Sequence, residues 1–147
     1  MRGFDGNKKV KGRKRSIIVD SLGLLVRVLV HPANWSEHVG LKLLLRRVPL
    51  YDRWQRIVAD AGYDNAALAN HCLTWFAVEL LILTAAAQLS GKKSFVPVPV
   101  RWVVERTFAW LGKYRRLSKE YEALTQVSEA FIYLASIHIL VRRLARS

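Results

Sequence analysis

Apolar residues in this chain fall into short runs separated by glycine, proline and acidic positions. Ser16-Ile17-Ile18-Val19 predicts a strand and Leu24 to Val30 a second, with Asp20-Ser21-Leu22-Gly23 as the turn between them. Asx and glycine at the two ends of a four-residue turn are ordinary hairpin chemistry, so Asp20 is read as a turn residue before a catalytic one. His31-Pro32-Ala33-Asn34 ends the strand. Ser36 is placed as the N-cap of a helix running through Arg47, with Val39, Leu41, Leu43, Leu44 and Leu45 as its apolar content. Arg56-Ile57-Val58-Ala59 predicts a third strand, ending in Asp60-Ala61-Gly62-Tyr63-Asp64. A helix over about Asn65 to Leu73 follows, with Asp64 as its cap. Val78 to Leu83 reads as another buried strand, although Leu73 to Gln88 also fits a helix on periodicity alone.

Gly91-Lys92-Lys93-Ser94 breaks the pattern, and Phe95 to Val100 is expected to be irregular because of its prolines. A helix-compatible run, Arg101 to Leu111, then carries one carboxylate, Glu105, among bulky apolar neighbours. Arg101 precedes it by one turn on the same face, and Arg106 follows at once. The chain closes on a helix from Ser128 to about Ala145. Ser128 is its expected cap, and Phe131, Leu134, Ile137, Leu140, Val141 and Leu144 are its expected core face. Arg142, Arg143 and Arg146 suit its C-terminal end electrostatically. There is no internal repeat, low-complexity segment or interdomain linker. The order of elements predicts one mixed α/β layer structure over residues 1–147, a mixed sheet flanked by helices.

Composition adds a partner. The chain has 147 residues and is 52% hydrophobic, enough for a real core. Lysine and arginine number 24 against 11 acidic residues, a net charge of +13. Such an imbalance favours a polyanion, nucleic acid first and an anionic membrane surface or RNA packaging as distant alternatives. Two basic clusters stand out. One is Lys8, Lys9, Lys11, Arg13, Lys14 and Arg15 in a glycine-containing, extended lead (residues 1–15), which either lies along phosphates or is a solvated tail. The other is Lys113, Arg115, Arg116 and Lys119. Cys72 is the single cysteine, so neither an intrachain disulfide nor a cysteine metal site is possible. His31 and His38 lack a thiol nearby and are read as structural. The charged N-terminus has no apolar signal region, and Leu73 to Ala87 is short and contains Glu79. A cytoplasmic, nucleoid-associated protein without a membrane partner is expected.

Asp60 and Glu105 give the chain its candidate chemistry. A strand that delivers an aspartate at its C-terminal end, before a glycine turn and a helix, is a frequent active-site geometry in α/β sheets, although Asp60 also fits a cap or turn. Two carboxylates from separate elements amid basic residues suit Mg²⁺ or Mn²⁺ held against a phosphodiester.

These same stretches carry a family resemblance. Asp60-Ala61-Gly62-Tyr63, and Arg101-Trp102-Val103-Val104-Glu105-Arg106-Thr107-Phe108-Ala109-Trp110-Leu111, resemble the second and third acidic motifs of bacterial insertion-sequence transposases of the DDE class. Lys9 to Arg15 with the Val19-to-Gly23 turn resembles the segment before them, and Ser128 to Tyr133 the family's terminal helix. The resemblance implies a ribonuclease-H-like domain in which three acids bind two Mg²⁺ ions for strand cleavage and strand transfer at transposon ends. Asp60 would be the second acid and Glu105 the third, both as metal ligands. The family's helix pattern is Tyr, two residues, Arg, three residues, Glu, six residues, Lys. Arg101 and Glu105 fit it; Val98 stands where tyrosine is expected and Gly112 where lysine is. Lys113 comes one position late, which rotates it about 100° around a helix.

The first acid has no match. In the family it lies on the first strand, upstream of the segment that Gly3 to Arg15 resembles, and neither Asp5 nor Asp20 corresponds to it. The expectation is therefore a C-terminal part of a transposase, an incomplete ribonuclease-H-like fold without its first strand. Two consequences follow: weak metal binding, because ligand charge sets affinity, and an unpaired central sheet edge. Function divides in two. The chain is either the catalytic half of a DNA-cutting and joining enzyme that needs an upstream transposase segment to supply the first Asp, or an inactive remnant or regulator that holds DNA; besides DNA, that segment or a homo-oligomer is the expected partner. Lys8, Lys9, Lys11, Arg13, Lys14, Arg15, Arg101, Arg106, Lys113, Arg115 and Arg116 are the expected DNA contacts.

Overall fold

One long strand, β2, divides the molecule into two cores. The computed structural model describes residues 2–6, 9–48, 54–83 and 99–146. Strand β2 spans Val10–Val19 and pairs antiparallel with β3, Leu25–Pro32, over Arg13↔Pro32 to Val19↔Leu25. The short β1, Gly3–Asp5, pairs with Val10 to Gly12. The basic lead is thus extended as expected, and residues 10–15 of it are paired sheet. The connecting turn is held by Asp20, whose Oδ1 accepts from the amides of Leu22 (2.9 Å) and Leu24 (2.8 Å). Gly23 takes φ +78°, a left-handed value that costs glycine no Cβ clash.

Helix α1, Glu37–Arg46, starts at Ser36, whose hydroxyl accepts from Val39 N. Strand β4, Arg56–Asp60, leads through a single 3₁₀ turn, Ala61–Tyr63, to α2, Ala66–Phe76. Asn65, not Asp64, caps α2: its Oδ1 accepts from Leu68 N at 2.9 Å. Either residue is a good cap by type, and Asp64 instead closes the 3₁₀ turn before it. Strand β5, Glu79–Leu83, returns parallel to β4, which settles the strand-or-helix ambiguity for these residues in favour of the strand. Pro99 and Val100, expected to be irregular, already belong to α3, Pro99–Gly112; proline is well tolerated in a first helical turn. Val98 and the rest of Phe95 to Val98 lie outside the described residues, as does Lys8. Helix α4 spans Thr125–Leu144. Among the described residues no helix is long and apolar enough to cross a membrane.

Alternation along β2 sends Ile17 and Ile18 to opposite sides. Ile17 joins Val28, Val30, Leu111, Leu117, Ile132 and Ala135 in a core beneath α3 and α4. Ile18 joins Leu41, Leu45, Leu68 and Cys72, with Ile57 of β4 and Leu80 of β5, beneath α1 and α2. The described residues form an α/β structure, with strands in both orientations and four α-helices. The expected single mixed sheet is two: β1-β2-β3, antiparallel, and β4-β5, parallel.

Helix α4 departs from its expected orientation. Ser128 is not its cap but a buried residue in its first turn, and its hydroxyl donates to Glu120 Oε2 at 3.0 Å. Its buried face is Ser128, Ile132, Ala135 and Ser136, while Leu134, Ile137, Val141 and Leu144 are exposed. The apolar stripe runs down two sides of the helix, so periodicity alone does not choose between them. Small residues let the Ser128–Ala135 side lie close on β3, and bulk turns outward.

Close approach also explains Gly40. A Cβ there would sit 3.1 Å from Ser16 Oγ and 3.2 Å from His31 Nε2, so α1 lies on β2 and β3 with no room for a side chain. The Ser16 hydroxyl bonds His31 Nε2 at 2.9 Å, and His31 Nδ1 lies 3.0 Å from Pro32 O, which together with stacking on Trp35 accounts for this buried histidine. Burial holds the His31 imidazole below its ordinary pKa. Gly40→Val should therefore lower stability by about 1–3 kcal/mol, the usual cost of overpacking, measured as a fall in the urea midpoint with an unchanged slope.

Candidate functional site

Both candidate acids reach the surface from elements that pack side by side. Asp60 ends β4, exposed, and also serves as N-cap of the 3₁₀ turn. Its Oδ1 accepts from Gly62 N at 3.1 Å, which leaves Oδ2 for another partner. Tyr63 anchors that turn by inserting its ring into the core under α1 and α2. Burial first, then the nearby Asp60 and Glu37 carboxylates, push its phenol up to about 12. Asp60 thus sits on a short backbone unit fixed at both ends, by the β4 ladder and by Tyr63.

Glu105 lies midway along α3, which packs against β2 and β4. It is exposed, and its Oε1 accepts from Arg101 Nε at 3.0 Å, the same-face pair that their spacing predicts. What sets the rotation of α3 lies on its other side. Thr107 is buried, and its hydroxyl is 2.8 Å from Gly23 O and 3.0 Å from Val103 O. Arg106 Nη2 donates to Leu22 O at 2.9 Å. Two positions along a helix are about 200° apart, so Thr107 facing the turn makes Glu105 face away from it. A Cβ on Gly23 would come within 3.0 Å of the Thr107 hydroxyl and 3.2 Å of the Arg106 guanidinium, so the glycine serves the contact as well as the turn. The Arg106 guanidinium also lies over Trp102 (4.5 Å) and Trp110 (4.8 Å), and Arg143 of α4 covers Trp110 at 4.5 Å. These aromatics are stacking platforms for arginine. The sequence motif contains Thr107 and both tryptophans, but only the fold shows what they hold.

The basic residues separate into two groups. Arg13, whose side chain is 2% exposed, donates to Glu122 O (2.9 Å) and Ala123 O (2.6 Å) and pairs with Glu120. Arg15 donates to Leu117 O (2.7 Å) and Lys119 O (3.1 Å). Together they strap the irregular segment before α4 to β2. Lys14 bridges Asp5 (3.5 Å) and Glu37 (3.1 Å); burial lowers its pKa, and the two carboxylates more than offset this, for a net rise. Arg116 pairs with Glu122 at 2.7 Å and lies over Phe131. Arg101 and Arg106 are engaged as described above. By contrast Lys9, Lys11, Lys113 and Arg115 are exposed.

The donor set suits a hard divalent cation in type: two exposed carboxylates on adjacent elements. Among the described residues, no group of three or more His, Cys, Asp or Glu is placed to hold a metal. Asp5 is buried against Lys14, and Asp20 is spent on its turn.

An α/β domain that presents one acid at a strand end and one on a neighbouring helix is the class defined by fold and site. Residues 1–140 match the family model described as Transposase DDE domain, and the chain belongs to that family of bacterial insertion-sequence transposase domains. It is also similar, at 28% identity over 145 residues, to a curated Burkholderia cepacia protein named as a transposase for insertion sequence element IS402. The match takes in 92% of this chain and 66% of that relative, so the chain spans just under two thirds of the relative's length. No solved structure matches it.

The Thr107 contact is testable. Thr107→Val keeps the shape and leaves Gly23 O without its donor, a cost of about 1–3 kcal/mol. Hydrogen exchange should quicken in α3 and in residues 20–24 more than in α1.

Proposed function

We propose that this chain is the portion of an insertion-sequence transposase that supplies the second and third metal-binding acids, Asp60 and Glu105. The reading rests on one observation: both acids are exposed on packed neighbours, β4 and α3, inside the region that matches the family. The relative is named as a transposase, which points to DNA as substrate. Asp60 through Oδ2, and Glu105 with Arg101 turned to a DNA phosphate, would hold the cation. The Arg101 guanidinium then neutralises the backbone beside the reacting bond, a role suited to its planar fork. Bound Mg²⁺ or Mn²⁺ would activate the attacking oxygen and stabilise the leaving one during strand cleavage and transfer.

The first acid comes, in this proposal, from a strand between β2 and β4. Among the described residues, β2 from Arg13 to Val19 pairs only with β3, and β4 pairs only with β5. Yet Ile18, Ile57 and Leu80 from the two sheets pack under the same helices. A strand entering between the sheets would join them, satisfy both open edges and already have a helical cover. An upstream transposase segment is the natural donor.

Two tests follow. A protein joined to that segment should nick and transfer the element's own ends in Mg²⁺, and Glu105→Gln should reduce this to background while DNA affinity changes less than about threefold. An active Glu105→Gln variant would remove Glu105 from the site. Separately, replacing Lys9 and Lys11 with alanine should flatten the slope of log affinity against log salt by about 2, since each phosphate contact contributes roughly 0.9. Arg13→Ala should instead lower stability, read as a lower melting temperature.

A further inference from the structure

The exposed face of α4 has the spacing of a helix seam. Val127, Ala130, Leu134, Ile137, Val141 and Leu144 follow one another at intervals of three, four, three, four and three. That is the a/d pattern along which two helices pack. All six are exposed, Val127 at 38% and Leu144 at 75% among them. Among the described residues the stripe takes no part in the core: α4 packs on β3 through Ser128, Ile132 and Ala135 on another side. Nor is it an ordinary solvated face. In a chain whose residues are 24% charged, none of the six bears a charge, nor do the flanking Phe131, Tyr133, His138 and Leu140.

We propose that this seam joins two copies of the chain, α4 against α4, in antiparallel orientation. The inference is independent of the transposition reading. Shape selects the orientation. A shallow depression of about 350 Å³, lined by Gln126, Val127, Ala130, Phe131 and Leu134, occupies the N-terminal half of the face. Val141 and Leu144, 56% and 75% exposed, lie on the C-terminal half. An antiparallel two-fold sets Val127 opposite Leu144, Ala130 opposite Val141 and Leu134 opposite Ile137. Each copy's Val141 and Leu144 then fill the other's depression, as an isologous contact requires. Charge selects it too. Arg142, Arg143 and Arg146 end the helix, and in a protein of net charge +13 a parallel pair would bring six arginines together. The antiparallel pair places the two groups at opposite ends and aligns the helix dipoles favourably.

Light scattering of the whole chain across a concentration series should show a reversible dimer. Leu134→Lys with Ile137→Lys should yield a monomer with the same far-ultraviolet spectrum, and with the melting temperature that the parent shows when diluted to the monomer, because both side chains are exposed in the single chain. For orientation, Val127→Cys and Leu144→Cys proteins, mixed and mildly oxidised, should crosslink to each other; Cys72 is buried and contributes little background. Val127→Cys alone should stay uncrosslinked, since the antiparallel pair holds its copies about 25 Å apart along the axis. A chain that is monomeric throughout, a dimer indifferent to the lysines, or self-crosslinking of Val127→Cys would each overturn the proposal.

Discussion

Two carbonyl oxygens in one hairpin turn, those of Leu22 and Gly23, orient the helix on which the candidate chemistry depends. They are free to accept because Asp20 satisfies the turn's amides with its own carboxylate, so the turn does not consume its outward-facing acceptors. A buried hydroxyl on a buried carbonyl is specific in direction as well as favourable in energy: a small rotation of α3 would leave Gly23 O without its donor, while the Thr107 hydroxyl kept only Val103 O of its own helix. The contact joins residues 84 positions apart in sequence, and so ties the first half of the chain to the second. Glu105 faces outward as a geometric consequence. Its exposure is set by Thr107 two residues on, not by anything the carboxylate itself touches.

Where the sequence was legible, a local rule had no competitor. The Asp20–Gly23 turn, the Ser36 cap, β4 ending at Asp60 and the Arg101–Glu105 pair all follow from spacing of a few residues, and each is present. Where it was not, two local rules gave equal answers and tertiary packing decided. Asp64 and Asn65 are both good caps. Helix α4 has two apolar sides, and only the approach of β3 chooses the one with small residues. Pro99 punctuates a loop or opens a helix with equal ease. The basic lead was the hardest case, because an arginine on phosphate and an arginine on carbonyl oxygens look alike in sequence. Strand alternation separates them once β2 is known to extend to Val10. Arg13 and Arg15 share the Ile17 side, facing the Leu117–Ala123 segment, while Lys14 shares the Ile18 side with Ser16.

That partition changes the meaning of a net charge of +13. Five backbone acceptors and acids between residues 117 and 123 engage the two β2 arginines, so a share of the positive charge is structural. Arginine suits this use: its fork spans adjacent carbonyls, and it is easier to desolvate than an ammonium. The exposed positions outside these contacts include lysines at 9, 11 and 113, which act as flexible point charges. The chemistry of the side chain, more than the count of charges, separates the scaffold from the surface that can meet a polyanion.

The break between the two sheets bears on the site in the same physical terms. An edge strand is an unfilled row of donors and acceptors, and β4 carries Asp60 at the end of such a row. Among the described residues, a parallel pair as short as β4-β5 is held by α2, by α3 against β4 and by the shared core under α1. Filling the edge would therefore do more than supply a ligand. It would lengthen the ladder that fixes β4, and with it the position of Asp60 relative to α3. On the proposed reading metal affinity and sheet completion would be coupled, because a strand that brought the missing charge would also restrict the motion of the Asp60 carboxylate.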